Sequence, residues 1–230
     1  MLDVEKSERY ECTGRLQCEI FSRTLFLVYN LRMTWVVVGL GNPDEEYART
    51  RHNAGRMAVQ KFAEVYGFSE WKDEKKAKSF VARGRIGSAL ALLLLPNTYM
   101  NKSGLAAAYY IKSAKAAEKL IVVYDDLDLP LGSIKLSFDR GSGGHKGIDS
   151  IARTLKTRGF VRVRIGISPM GVNGDTRKPL GEEKVEKFIL GEFSKDDMTH
   201  LKKIFKRTSE AIQTIVKEGH ESAMGTFNRS

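Results

Sequence analysis

Cysteine is scarce in this chain of 230 residues, and both copies, Cys12 and Cys18, lie close to its start. Nothing after Cys18 can form a disulfide or a thiolate metal site, so the remainder reads as a cytosolic-type protein. Histidine is almost as sparse. His52, His145, His200 and His220 are scattered along the sequence, and zinc needs a closed ligand set that they do not supply. No metal is expected. Long apolar runs are missing as well: Leu25 to Leu31 falls far short of the about 18 residues of a membrane span and is broken by Tyr29 and Asn30. No membrane insertion is expected. Internal repeats and low-complexity segments are also lacking, which excludes repeat architectures and a disordered chain.

Positive charge, in contrast, is plentiful. Lysine and arginine total 38 against 28 acids, a formal charge of +10, and such a balance points to a polyanionic partner such as nucleic acid. Residues 1–32 hold five acids and five bases, so the surplus belongs to residues 33–230. That leading stretch is not acid-poor, unlike a transit peptide. Met33 directly precedes the first strong strand pattern and fits a natural start. Residues 1–32 are therefore expected to be a poorly ordered extension, and residues 33–230 the functional domain. A hydrophobic content of 42% is enough for a substantial core.

β-Branched and apolar runs predict strands at 35–39, 80–86, 89–95, 120–124, 132–138 and 162–168. The pair flanking Gly87-Ser88 has the form of a hairpin with a two-residue turn. Helical spacing covers about 55–67, 103–113, 146–157 and 195–218. In the last of these Met198, Leu201, Ile204, Phe205, Ile212, Ile215 and Val216 share one face, Ser194 suits the N-cap and Gly219 the stop. Its Lys202, Lys203, Lys206 and Arg207 form a basic block, which is either a solvated face or an RNA contact. Strands alternating with helices, with one hairpin among them, predict a single α/β domain with a twisted mixed β-sheet flanked by helices. Residues 170–184, polar and holding three glycines and a proline, are expected to form a mobile surface loop.

The densest chemistry lies in Gly39–Gly55, GLGNPDEEYARTRHNAG, between a buried strand and a helix. Asn42, His52 and Asn53 fall where α/β proteins place their sites. The start Gly39-Leu40-Gly41 suggests a dinucleotide loop, but the third glycine of that fingerprint is replaced by Asp44, and Pro43 with the following acids makes a poor pyrophosphate cradle. No cofactor is expected. Three later segments share this character: residues 96–104 with Asn101, residues 124–130 with Asp125, Asp126 and Asp128, and the glycine loop 139–147 with His145. Singly, each has a dull explanation as a cap or turn. Together they put amides, an acid and a histidine at the ends of successive strands.

The order and wording of these segments resemble the bacterial-type peptidyl-tRNA hydrolase family from about Trp35 to Asn228. The anchors are GLGNP with EYARTRHNAG, PNTYMNKSG, YDDLDLPLG, GSGGHKG, VRVRIGIS and VEKFILGEF. The resemblance implies a monomeric cytoplasmic enzyme that cleaves the ester between a peptide and the 3′ ribose of tRNA, with peptidyl-tRNA as its partner. It makes His52 the general base for water and Asp125 the acceptor that fixes its tautomer. It places Asn42 and Asn101 on the substrate, where such donors commonly contribute about 3 kcal/mol each to oxyanion stabilisation. Tyr47 and Tyr99 fall at the same cleft. Arg164 matches the family's basic residue near the terminal phosphate. A lysine that often accompanies it aligns with Ser137, leaving Lys135 two residues away, or Arg140, as substitutes. His145, Asp126 and Asp128 are expected to be structural, the two acids as partners of loop amides.

One position departs from the family. The usual Gly-Gly-His-Asn-Gly reads Gly144-His145-Lys146-Gly147 after Gly143 here, so Lys146 stands where an asparagine positions substrate and water. Lysine donates but cannot accept, and an ammonium near His52 is expected to lower that histidine's pKa. The substitution is compatible with a tolerated variant, a slower enzyme, or a catalytically weak relative that acts as an RNA-binding or splicing-associated factor.

Overall fold

Three consecutive valines, Val36–Val38, form the centre of the fold. In the computed structural model, which describes residues 34–170 and 176–229, they lie in β1 (Trp35–Gly39) and are buried on both faces. The extension expected at 1–32 lies outside the described residues, as does part of the polar loop expected at 170–184. A strand covered on both sides has no polar face to offer, so its sequence is continuously apolar instead of alternating.

The described residues form seven strands in one sheet, ordered β2-β3-β4-β1-β5-β7-β6. Here β2 is Lys72–Glu74, β3 Ser79–Ile86, β4 Ala89–Pro96, β5 Leu120–Pro130, β6 Ile134–Phe138 and β7 Val161–Ser168. β1 is parallel to β4 and β5, and β5 is parallel to β7; the outer pairs are antiparallel. The hairpin is as expected, with Ile86 opposite Ala89 across Gly87-Ser88. Helices α1 (Ala54–Val65), α2 (Gly104–Tyr110), α3 (Ala114–Ala117), α4 (Lys146–Leu155), α5 (Glu182–Ile189), α6 (Lys195–Glu218) and α7 (His220–Phe227) complete the architecture. Val37, Ile121, Val123 and Val163 point into one core with Phe62 of α1 and Ile212 of α6. Val36, Val38, Val122 and Tyr124 point into a second core with Ala107 of α2 and Ile148 of α4. The mixed sheet between two helical layers is the architecture expected from the sequence.

α1 is pressed hard against the sheet. A Cβ added at Gly55 would sit 2.2 Å from the Val123 carbonyl oxygen, so only glycine lets the helix start there. That close approach carries the residues just before α1 over the C-terminal half of β5. At the far edge, the Asn228 side chain accepts from the Leu136 N–H at 2.8 Å and donates to its carbonyl at 3.0 Å, so a carboxamide covers part of the β6 edge.

Several elements differ from the sequence expectation. The helix expected over 103–113 ends early, at Tyr110, because Ile111 turns extended, and the Ser113 hydroxyl caps a separate short helix, α3. β5 runs on past Tyr124, where its aspartates pair with β7 despite their low strand preference. The all-charged β2 is defined only by pairing with β3. Residues 182–184, assigned to a loop, begin α5, whose Val185, Phe188 and Ile189 carry helical spacing that nearby glycines and proline obscure. α6 follows the expected bounds, with a full capping box between Ser194 and Asp197, and Gly219 at φ 92° ends it before α7.

Candidate active site

The C-terminal ends of β1, β4 and β5 open onto one cavity of about 630 Å³. Its lining brings together Asn42, Tyr47, His52, Tyr99, Asn101 and Asp125, and Lys146 joins them from the start of α4. Seven of the nine residues singled out for the site are therefore neighbours in space, although they span more than a hundred positions of sequence.

His52 sits in a single 3₁₀ turn, Arg51–Asn53, whose C-terminal end feeds α1. Its Nδ1 lies 2.9 and 3.0 Å from the two oxygens of Asp125. A carboxylate only accepts, so the proton of a neutral ring resides on Nδ1. Nε2, on a ring lining the cavity, is left without a partner among the described residues and keeps its lone pair. His145 approaches the same carboxylate from the other side, with Nε2 3.1 Å from Asp125 Oδ1. Its Nδ1 accepts from the Gly147 and Ile148 N–H groups and so caps α4. Backbone amides can only donate, so His145 must carry its proton on Nε2 and give it to Asp125. The sequence expectation that His145 is merely structural in its loop needs correction: it holds the carboxylate that holds His52. Gly143 and Gly144, at φ 62° and 82°, supply the left-handed turn that delivers it.

The electrostatics follow from these contacts. Burial pushes the Asp125 carboxyl up, but its interactions with His52 and His145 prevail and hold it well below the usual carboxylate range. For His52, burial pulls the pKa down and the Asp125 carboxylate more than restores it, so the net direction is upward. Lys146 does lower it, as expected from sequence, but the carboxylate outweighs the ammonium. Tyr124, edge-on to the His145 ring at 4.8 Å, is pushed by burial up to about 12 and stays neutral.

Asn42 is held at three points. Its N–H donates to Asn53 Oδ1 at 2.8 Å, its carbonyl accepts from Asn53 Nδ2 at 3.0 Å, and its Oδ1 accepts from the Met100 N–H at 3.1 Å. The last contact identifies the oxygen, because a backbone amide must meet an acceptor. Nδ2 therefore has no partner among the described residues, and the side chain faces the cavity with a fixed donor. At the rim, the Tyr99 hydroxyl donates to Asp44 at 3.1 Å, and Tyr47 stands nearby in the wall.

The two cations expected near the tRNA phosphate, Arg164 and Lys135, lie apart from the cavity. Arg164 does not line the cavity: its Nε donates to Asp126 Oδ2 at 2.6 Å. Lys135, its register partner on β6, is exposed and also lies off the cavity wall. Asp126 does accept from a backbone amide, the Asp128 N–H at 2.8 Å, but within β5 instead of a loop, and Asp128 pairs with Lys178 at 2.6 Å. Lys178 belongs to a wall that sequence reading missed. Residues 178–182 and the Val185, Ile189 and Leu190 side of α5 close the cavity where a mobile loop was expected. The spacing of Val185, Phe188 and Ile189 was the available signal.

His52, Asp125 and His145 place candidate metal-ligand atoms within 4.8 Å of one another. Those atoms already face each other through the ring protons. A metal would have to displace both protons, and the group contains no fourth ligand. The donor set fits a carboxylate held between two imidazole N–H donors better than a metal site.

The family model for peptidyl-tRNA hydrolase matches residues 36–230. The peptidyl-tRNA hydrolase of Thermotoga petrophila is 42% identical over 197 residues, covering 84% of this chain and 96% of that protein. The one from Syntrophotalea carbinolica is 38% identical over 194 residues, covering 84% and 96%. The crystal structure of peptidyl-tRNA hydrolase from Acinetobacter baumannii superposes with a TM-score of 0.74 at 31% identity, covering 86% of this chain and 96% of that one. A non-catalytic RNA-binding factor, the rival reading of the sequence, finds no support among these relatives. With its sheet, its strand-end cavity and these likenesses in agreement, the chain belongs to the peptidyl-tRNA hydrolase family.

Proposed function

We propose that the protein hydrolyses the ester of peptidyl-tRNA, releasing peptide and free tRNA, with His52 as general base. The observation that carries this reading is the contact of His52 Nδ1 with both oxygens of the Asp125 carboxylate. Asp125 accepts a hydrogen bond from Nδ1–H and so keeps the proton on that nitrogen, and Nε2 meets the cavity as an acceptor. A water between Nε2 and the ester carbonyl gives its proton to Nε2 as its oxygen attacks the carbonyl carbon. The imidazolium so formed is stabilised by Asp125, which His145 keeps in place. The tetrahedral oxyanion then collapses, the bond to the ribose 3′ oxygen breaks, and Nε2–H returns the proton to that oxygen.

Asn42 Nδ2, fixed by the Met100 contact, is the donor aimed at the oxyanion; Asn101 and the Lys146 ammonium line the same space. Tyr47 and Tyr99 offer aromatic surface to the substrate at the rim. Lys135 and Arg164, outside the cavity on the β6–β7 edge, contact the tRNA phosphates, Arg164 while held by Asp126. Such contacts carry no base information, which suits an enzyme acting on many tRNAs. The protein acts as a monomer in the cytoplasm, on a substrate that translation produces, and residues 33–230 suffice for activity.

The test is release of an N-acylated amino acid from tRNA by wild type and His52→Ala. Wild type is active and the variant loses at least about 10²-fold, the lower bound for a positioned base. An inert wild type, or an unaffected variant, overturns the reading.

A further inference from the structure

The basic block of α6 borders a shallow groove of about 440 Å³ between α6 and α7, lined by Lys203, Lys206, Arg207, Glu210, Thr226 and Phe227. The positions 203, 206, 207 and 210 recur at helical spacing and form one stripe, flanking the buried face that contains Leu201, Ile204, Phe205 and Thr208. None of the three cations is ion-paired among the described residues. Lys202–Lys206 and Lys203–Arg207 are like-charge pairs at i+4, and the single acid of the stripe, Glu210, i+4 from Lys206 and i+3 from Arg207, forms no ion pair with either among the described residues. Three cations face one acid, so the groove complements an anion.

Its position relates it to the tRNA edge already described. Arg207 Nη2 donates to the Phe227 carbonyl at 3.4 Å, and the neighbouring Asn228 brackets Leu136 on β6 with two hydrogen bonds. Leu136 adjoins Lys135, the register partner of Arg164. A short series of direct contacts therefore joins the β6–β7 cations to the α6 stripe around the sheet edge.

We propose that the α6–α7 groove is a second phosphate-binding surface, taking the sugar-phosphate backbone of the tRNA body beyond its acceptor end. The inference rests on the hydrolase reading for the identity of the RNA. Lys203 and Lys206 contact phosphates, while Arg207, tied to Phe227, shapes the groove. The site adds affinity for the folded tRNA and none for the ester.

The test uses the full chain and deacylated tRNA, so binding is read without turnover. Lys203→Ala/Lys206→Ala, at exposed positions, is expected to weaken tRNA binding about tenfold near 0.1 M salt and to reduce the salt slope by about 2, one for each phosphate contact. Glu210→Lys, which adds a cation to the same groove, is expected to tighten binding. With N-acyl-aminoacyl esters, the ratio of kcat/KM for full-length tRNA to that for a CCA trinucleotide falls in the double variant. Unchanged tRNA affinity and salt slope in both variants would assign the groove to another anionic partner and overturn the proposal. An inert wild type that still shows these binding changes would instead refute the hydrolase reading and leave the groove standing.

Discussion

Replacing Asp125 by asparagine preserves the shape of the buried side chain and removes its charge. The outcome follows from hydrogen-bond bookkeeping at three atoms. In the native site His52 Nδ1–H and His145 Nε2–H both donate to the carboxylate, at 2.9 and 3.1 Å. An asparagine offers one acceptor and one donor in place of two acceptors. His145 cannot give way, because its Nδ1 is held by the Gly147 and Ile148 N–H groups and its proton must stay on Nε2. The amide oxygen therefore turns to His145, and the NH₂ group faces His52. His52 then accepts on Nδ1 and carries its proton on Nε2, toward the cavity, where it can no longer deprotonate water. Loss of a correctly protonated base costs about 10³- to 10⁴-fold in kcat, or about 4–5.5 kcal/mol, with KM little changed. Single-turnover release of an N-acylated amino acid from tRNA measures it. In the double variant Asp125→Asn/His145→Ala the amide is free to turn back, and part of the rate returns. Asp125→Asn retaining more than a tenth of the wild-type rate would refute the argument.

The other predictions use the same contacts. Asn42→Asp keeps an acceptor for the Met100 N–H but replaces the cavity donor with a repelling oxygen, so kcat falls by about 10²–10³, at little change in melting temperature. In Lys146→Asn the ammonium that lowers the His52 pKa is gone, so the acid limb of the kcat/KM profile moves to higher pH; a shift to lower pH contradicts the assigned electrostatics. The Asp125 carboxyl is held below its ordinary value, so its ionised form stabilises the fold above about pH 3.9, and that contribution disappears as pH falls toward the folded pKa. Melting temperatures between pH 6 and pH 2 should therefore fall more steeply for wild type than for Asp125→Asn. Gly55→Ala drives a methyl into the Val123 carbonyl, costing about 3 kcal/mol of stability in denaturant titration and displacing His52 from Asp125.

Much of the molecule was legible in sequence because its signals are local. The valines of β1, the Gly87-Ser88 turn, the Ser194 cap and the Gly219 stop depend on residues a few positions apart, and each stands where it was expected. The motifs at the ends of β1, β4 and β5 likewise named Asn42, His52, Asn101 and Asp125, since strand ends in such sheets converge whatever loops join them. Tertiary packing decided the rest. No local pattern says that His145, 93 positions after His52, donates to the same carboxylate, or that Asp126 holds Arg164. Nor does a run of glycine, proline and charge at 170–184 show that its end becomes a cavity wall. Amino-acid spacing determined which groups reach the cleft. The tautomer of His52, the hold on Asp125 and the engagement of Arg164 depend on which atoms meet across the sheet, because protons and charges are assigned by partners distant in the chain.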